Sequence, residues 1–227
     1  MQRSQRRRVR TAVATLPGPN AGKLLQAAGV DISLDPADFP FMTMREAHIA
    51  GLPVRIFRIS FTGELSYEIN IRARHGLALW THLMKAGAEF GITPYGTEAM
   101  HVLRAEKGFI IVGQETDGSV TPKELGMDWI VSKVKPDYIG KRALERTSMA
   151  ADNRKQLVGL RTKERKQVIP EGAHAVLDPN QPMPMDMLGQ VTSSYYSPNV
   201  GSSIAMAMLK GGRALMGGTV YLPMLDG

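Results

Sequence analysis

The sequence predicts an α+β fold in which an antiparallel, ferredoxin-like α/β unit is followed by a small all-β barrel. Three observations carry this. Between Arg58 and Arg72 (RISFTGELSYEINIR), two runs rich in β-branched and aromatic residues flank a turn, and each alternates apolar with polar positions. A period of two belongs to strands. Downstream, Leu77, Trp80, Leu83, Met84 and Ala88 fall at helical spacing. Beyond about residue 152 no helical period is visible, and short strand-like runs are punctuated by Gly and Pro, the pattern of an antiparallel barrel or sandwich. The expected division is a basic, disordered tail (1–11), an α+β unit (12–152) and a β unit (153–227).

Each element has a local reason. Residues 9–16 form a strand, broken by Pro17-Gly18-Pro19-Asn20. Asn20 caps a helix over 21–28, with Leu24 and Leu25 on its apolar face and Gly29 as its stop. Residues 31–44 read as a loop anchored by Phe39 and Phe41. In the hairpin, Gly63 supplies a positive φ for a tight turn at Thr62-Gly63-Glu64-Leu65. Phe57, Ile59 and Phe61 point to one side, as do Tyr67, Ile69 and Ile71. The opposite face gathers Arg58, Ser60, Glu68 and Asn70. The helix at 77–88 places Trp80 in the core. Thr97 opens a second helix that runs through Glu106 and ends at Gly108. A strand-leaning stretch at 109–112, an acidic loop at 114–118, an apolar segment at 125–134 and a turn into a helix at 136–146 follow. The β unit then offers strands at 155–161, 173–177, 187–193, 202–209 and 219–222.

Composition narrows the function classes. The chain has 227 residues, 43% hydrophobic and 22% charged, with no cysteine. Disulfides, thiolate metal sites and cysteine nucleophiles are therefore excluded, and a reducing, cytoplasmic setting fits. No apolar run approaches the roughly 18 residues a membrane span needs, and no secretory h-region is visible. The net charge of +7 is concentrated in Arg3, Arg6, Arg7, Arg8 and Arg10. Setting those five aside leaves about +2 on the rest, so the basic balance belongs to the tail rather than to a nucleic-acid-binding surface. Neither nucleic acid nor membrane is an expected partner.

No phosphate-cradling glycine motif and no His-x-x-x-His pair is present. His75 and His82 lie seven apart on one helical face, which places them at the surface rather than on a metal. No Ser–His–acid arrangement is legible. The residues alone describe a two-unit protein with one polar-faced hairpin, and no catalytic group or metal ligand stands out.

Three motifs add a resemblance. FTGELSYEI (61–69) is similar to the Tyr-Thr-Gly-Glu-x-x-x-Glu-Ile signature of the glycine-cleavage T-protein (aminomethyltransferase) family. LRAEKG (103–108) resembles that family's Leu-Arg-x-Glu-x-Gly, and GQVTSSYYSPNVGSSIAMAML (189–209) its Gly-x-Val-Thr-Ser stretch with the following Ile-Ala-Met strand. Within the family, RISFTGELSYEIN, PYGTEAMHVLRAEKG and GQETDGSVTP look most like the C-terminal folate-binding region of the heterotetrameric sarcosine oxidase alpha subunits.

The resemblance implies a piece of the T-protein fold, tetrahydrofolate as cofactor, and one-carbon transfer that yields 5,10-methylenetetrahydrofolate. In that branch of the family FAD sits in a partner subunit, where sarcosine is oxidatively demethylated. The expected partners are thus the other oxidase subunits and folate. Glu68 aligns with the family's pterin-contacting glutamate. A carboxylate can accept a ring N–H and an adjacent amino group together. A cross-strand Arg58–Glu68 pair worth roughly 0.2–1 kcal/mol is the purely structural alternative. Arg58 as neighbour of Glu68, Tyr95 as a stacking ring and Glu64 at the turn complete the expected cofactor-binding set. Arg104 and Glu106, two apart on a helix, cannot share a face; one of them is expected to brace the hairpin.

The chain departs from the family pattern in three ways. The family's N-terminal part, with its catalytic acid, precedes the stretch near residue 12, so the chain is expected to be inactive alone. Met100 stands where T-proteins carry a pterin-contacting arginine. The family's final strand, which carries an arginine, is expected to be cut off, since the sequence stops at Leu225-Asp226-Gly227 directly after a strand. Two other readings remain open at this point. One is a folate-dependent repair or assembly factor, for which Lys107-Gly108 and Gly113-Gln114-Glu115 survive but the motif's cysteine is absent. The other is a structural lobe whose polar face only contacts a partner subunit.

Overall fold

A computed structural model describes residues 10–151 and 153–224. The basic tail up to residue 9 and the chain end at 225–227 lie outside the described residues. The chain divides into two compact units, Met1–Met100 and His101–Gly227, and the predicted α+β class with antiparallel sheets holds.

The first unit is built on a four-stranded antiparallel sheet in the order β1-β4-β3-β2. Its strands are β1 (Thr11–Pro17), β2 (Met44–Ile49), β3 (Leu52–Phe57) and β4 (Ser66–Arg72). Helices α1 (Ala21–Ala27) and α2 (Gly76–Ala86) pack on one face. There Leu16, Leu24, Leu25, Val54, Ile56, Tyr67, Ile69, Ile71, Leu79 and Leu83 form the core. Asn20 occupies the cap position of α1 without a side-chain hydrogen bond.

The alternation on β4 is as expected: Tyr67, Ile69 and Ile71 are buried while Glu68 and Asn70 lie half-buried on the other face. The first strand of the hairpin is not as expected. It ends at Phe57, and residues 58–65 form an irregular connection instead of a strand and tight turn. Val54 and Ile56 take the core positions, so Phe57 falls opposite Glu68. Gly63 does adopt a positive φ of 80° within that connection. Strand β2 begins at Met44, the last residue of the expected 31–44 loop. It joins β3 through Ala50 and Gly51, both at positive φ, the type I′ geometry that matches strand twist. Trp80 is not core: it is 48% exposed.

Helix α3 (Thr97–Glu106) carries the division between the units. The second unit holds short helices α4 (Lys141–Leu144) and α5 (Thr147–Ala150) and a sheet in the order β5-β8-β7-β6. Its strands are β5 (Lys155–Arg161), β6 (His174–Ala175), β7 (Gly189–Ser197) and β8 (Ser202–Lys210). Residues 109–112 are not a strand, and 219–222 contributes one isolated bridge, Val176 to Tyr221. At Gly189 a Cβ would lie 1.9 Å from the Met208 carbonyl oxygen, so only glycine permits the β7–β8 approach there.

Candidate functional site

Strand β4 is central in its sheet, and its position decides what surrounds Glu68. The register sets Thr15 of β1 on one side of Glu68 and Phe57 of β3 on the other. Directly opposed residues share a face of the sheet, so this row lies away from the helices. Asn70, two residues on and on the same face, donates from Nδ2 to Glu68 Oε1 at 2.9 Å. Glu68 Oε2 has no hydrogen-bond partner among the described residues. A half-buried carboxylate with one oxygen held and the other available is suited to accept N–H groups from a ligand.

The connection 58–65, together with the first residue of β4, adds a feature that reading for charge alone does not find. The hydroxyls of Ser60, Thr62 and Ser66 are buried and lack hydrogen-bond partners. Thr62 and Ser66 are 2% and 3% exposed. Ser66 shares the β4 face with Glu68. Orphaned buried hydroxyls are uncommon, since each carries a desolvation cost of about 1–3 kcal/mol. The signal was present in the sequence as hydroxyl residues at 60, 62 and 66 on both sides of Gly63.

The other expected site residues are placed as follows. Arg58 donates from Nη1 to the Phe39 carbonyl at 2.6 Å, and no Arg58–Glu68 ion pair is found among the described residues. The physical reason is register: the strand ends one residue before Arg58, so the guanidinium is carried off by the loop. Burial raises the pKa of Tyr67, and the nearby Arg58 charge only partly offsets it. Glu64 is exposed within the connection. Tyr95 is 39% exposed and lines a cleft of about 580 Å³ along β1, with Thr15, Trp80, Met84 and Met100. That cleft does not include Glu68, so the structure does not bring these two residues together. Partial burial raises the Tyr95 phenol pKa.

The second unit contains a different polar constellation. Arg104, fully buried, donates from Nη1 to Glu115 Oε2 and to the Phe109 carbonyl, both at 3.1 Å. Its Nη2 donates to Ser193 Oγ at 2.6 Å and to the Tyr195 hydroxyl at 3.2 Å. Glu115 also accepts from the Ile111 amide at 2.7 Å and from the Ser193 hydroxyl. A β-bulge between Val191 and Ser193 re-aims this part of β7. Glu106 accepts from Ser197 Oγ and from Asn199 Nδ2. Arg104 and Glu106 thus diverge as their spacing requires. The hydrogen bonds of both stay inside the second unit, and neither goes to the 58–72 segment. No group of His, Asp and Glu side chains among the described residues is arranged to hold a metal ion. No helix among them is long and apolar enough to cross a membrane.

Comparison with known proteins agrees with this architecture. Residues 4–135 match the GCVT N-terminal domain, and residues 155–227 match the glycine cleavage T-protein C-terminal barrel domain. The sarcosine oxidase alpha subunit of Corynebacterium sp. (strain P-1) is 45% identical over 219 residues, covering 93% of this chain and 22% of that protein. Human mitochondrial dimethylglycine dehydrogenase is 36% identical over 197 residues, covering 86% of this chain and 22% of that protein. The chain therefore spans about a fifth of the length of these oxidoreductases. The crystal structure of glycine cleavage system aminomethyltransferase T from Bartonella henselae superposes with a TM-score of 0.79 at 24% identity, over 96% of this chain and 56% of that one, which establishes the shared fold. With both family domains matched in order over most of its length, the chain belongs to the glycine cleavage T-protein family.

Proposed function

We propose that this chain is the folate-binding region of a sarcosine oxidase alpha subunit, where tetrahydrofolate accepts the one-carbon unit from oxidative demethylation of sarcosine. The product is 5,10-methylenetetrahydrofolate. The observation that carries this reading is the Glu68 carboxylate, with Oε2 unfilled, on a strand that begins with one buried, unpartnered hydroxyl, Ser66, and follows a connection that holds two more, Ser60 and Thr62. Glu68 accepts the pterin ring N–H and amino group, while Ser60, Thr62 and Ser66 supply small polar groups able both to donate and to accept. When bound, the reduced pterin provides the nitrogens that take up the one-carbon unit. This chain's own residues hold and orient that ring. The flavin that oxidises the amine belongs to a partner subunit, and the setting is cytoplasmic. The α+β part of the chain, to about residue 152, carries the folate site, and the remainder forms the barrel.

The repair-factor reading loses ground on one observation. Glu115, part of the surviving Gly113-Gln114-Glu115 motif, is buried and already accepts from Arg104, Ser193 and Ile111, so little of its acceptor capacity is left for a substrate.

The test is calorimetric titration of tetrahydrofolate, under reducing conditions, into the protein and its Glu68→Gln variant in the same subunit assembly. Loss of a charge-assisted acceptor predicts affinity reduced about tenfold or more. Unchanged affinity in Glu68→Gln rejects the assignment.

A further inference from the structure

The sheet face that carries Glu68 is built in rows. The register sets Met44 of β2, Phe57 of β3, Glu68 of β4 and Thr15 of β1 side by side in one row, and Glu46, Arg55, Asn70 and Val13 in the next. The two rows differ in charge. Glu68 is the single ionisable side chain of its row, whereas the row of Asn70 sets Glu46 opposite Arg55. Asn70 lines a hollow of about 520 Å³ together with Glu46, His48, Arg55 and Arg72, and Glu68 lies outside that lining. Asn70 therefore stands between the carboxylate and the charged part of the face.

The contact between Asn70 and Glu68 is made within one strand, by two half-buried side chains two residues apart. Asn70 Nδ2 donates to Glu68 Oε1 at 2.9 Å. The donor is neutral, so it fixes one carboxylate oxygen without cancelling the charge. A guanidinium in its place would do both. A cation is within reach: Arg55 is directly opposite Asn70 and so diagonal to Glu68, a separation of roughly 7–8 Å that a long side chain spans. None of the ion pairs among the described residues joins Arg55 to Glu68.

A glutamate is a flexible side chain, and a ligand that binds it must pay for fixing it. One already held in place spares the ligand that cost. We infer that Asn70 is the positioning residue of the pterin-binding carboxylate: its amide holds Glu68 Oε1 in advance and leaves Oε2, with the full negative charge, to the ligand's N–H groups. The inference rests on the reading of Glu68 as the pterin acceptor. Asn70 acts through Glu68, and its role requires no contact of its own with the ring.

The test is a double-mutant cycle. Tetrahydrofolate is titrated calorimetrically, under reducing conditions, into the same subunit assembly carrying the parent chain, Asn70→Ala, Glu68→Gln or both changes. Asn70→Ala is expected to weaken binding about three- to tenfold, the worth of one side chain ordered in advance. In the Glu68→Gln background the same change is expected to cost under about twofold, because the group it positions is no longer a carboxylate. Asn70→Asp keeps the shape but sets a second carboxylate beside the first. It is expected to weaken binding more than Asn70→Ala at neutral pH, and to recover relative to the parent as the pH falls and the pair takes up a proton. A merely structural role for Asn70 would produce neither the coupling nor the pH dependence. Three results overturn the inference: parental affinity in Asn70→Ala, equal losses from Asn70→Ala in both backgrounds, or an Asn70→Asp pH profile parallel to the parent's. Unchanged affinity in Glu68→Gln is a distinct failure, since it rejects Glu68 as the acceptor and the inference with it.

Discussion

Glu68 and Glu115 are the same side chain used in opposite ways. Glu115 is 1% exposed and surrounded by donors from a helix, its own loop and a bulged strand. Glu68 is half-buried on a sheet face with a single donor, Asn70. A carboxylate whose acceptor sites are filled by its own protein fastens segments together and has little left for a ligand. One left partly unfilled on an accessible sheet face keeps acceptor capacity that a ligand's N–H groups can use. The difference teaches where to look in this chain: incompleteness, not charge alone, marks the candidate site.

The sharpest way to break this comparison is to truncate both carboxylates. Glu115→Ala strands the Arg104 guanidinium in a dry interior and is expected to cost about 3–5 kcal/mol in urea denaturation. Glu68→Ala leaves no buried charge behind and is expected to cost under about 1 kcal/mol. Equal losses would dissolve the distinction. A double variant, Arg104→Met with Glu115→Leu, removes both charges together and is expected to recover most of the loss, because a buried ion pair repays little more than its own desolvation.

The next test concerns the hydroxyls. Thr62→Val keeps the shape and removes an Oγ1 that has no partner. Its stability is expected to stay within about 0.5 kcal/mol of the parent or to rise. If Thr62 meets folate, the same variant weakens folate binding in calorimetry. A destabilised variant would mean that the hydroxyl already serves the fold.

What the sequence disclosed follows from range. The β4 alternation was legible because Tyr67, Ile69 and Ile71 repeat locally. The phase of its partner was not. Val54-Arg55-Ile56 alternates as well as Ile59-Ser60-Phe61 does, and only pairing decides which run the sheet buries. Arg58 followed that error and lost its expected place beside Glu68. The face that carries Glu68 was predicted correctly because it depends on β4 alone. The Arg104–Glu115–Ser193 network joins residues up to 89 apart, a separation at which no local pattern operates. The hydrogen bonds between Asp31 and His48 at the edge of β2 were likewise invisible, since they do not exist until the strands pair.

A third carboxylate extends the comparison to a solvent-exposed position. Asp31 is held below the ordinary value of 3.8, first by the His48 backbone amide and then by the His48 ring. A carboxylate with a lowered folded-state pKa contributes its stabilisation above the unfolded value and loses it as pH falls through the folded one. The β2 edge contact is therefore expected to persist through neutral and mildly acidic pH and to open only below about 3.8. A pH series of NMR spectra checks this, with the Asp31 carboxyl resonance titrating below that value and His48 amide exchange accelerating in step. Asp31→Asn keeps an oxygen acceptor but removes the charge, so His48 protection in that variant is expected to lose its acid dependence. A His48 amide equally protected on both sides of the Asp31 transition would show that the carboxylate does not hold the β2 edge.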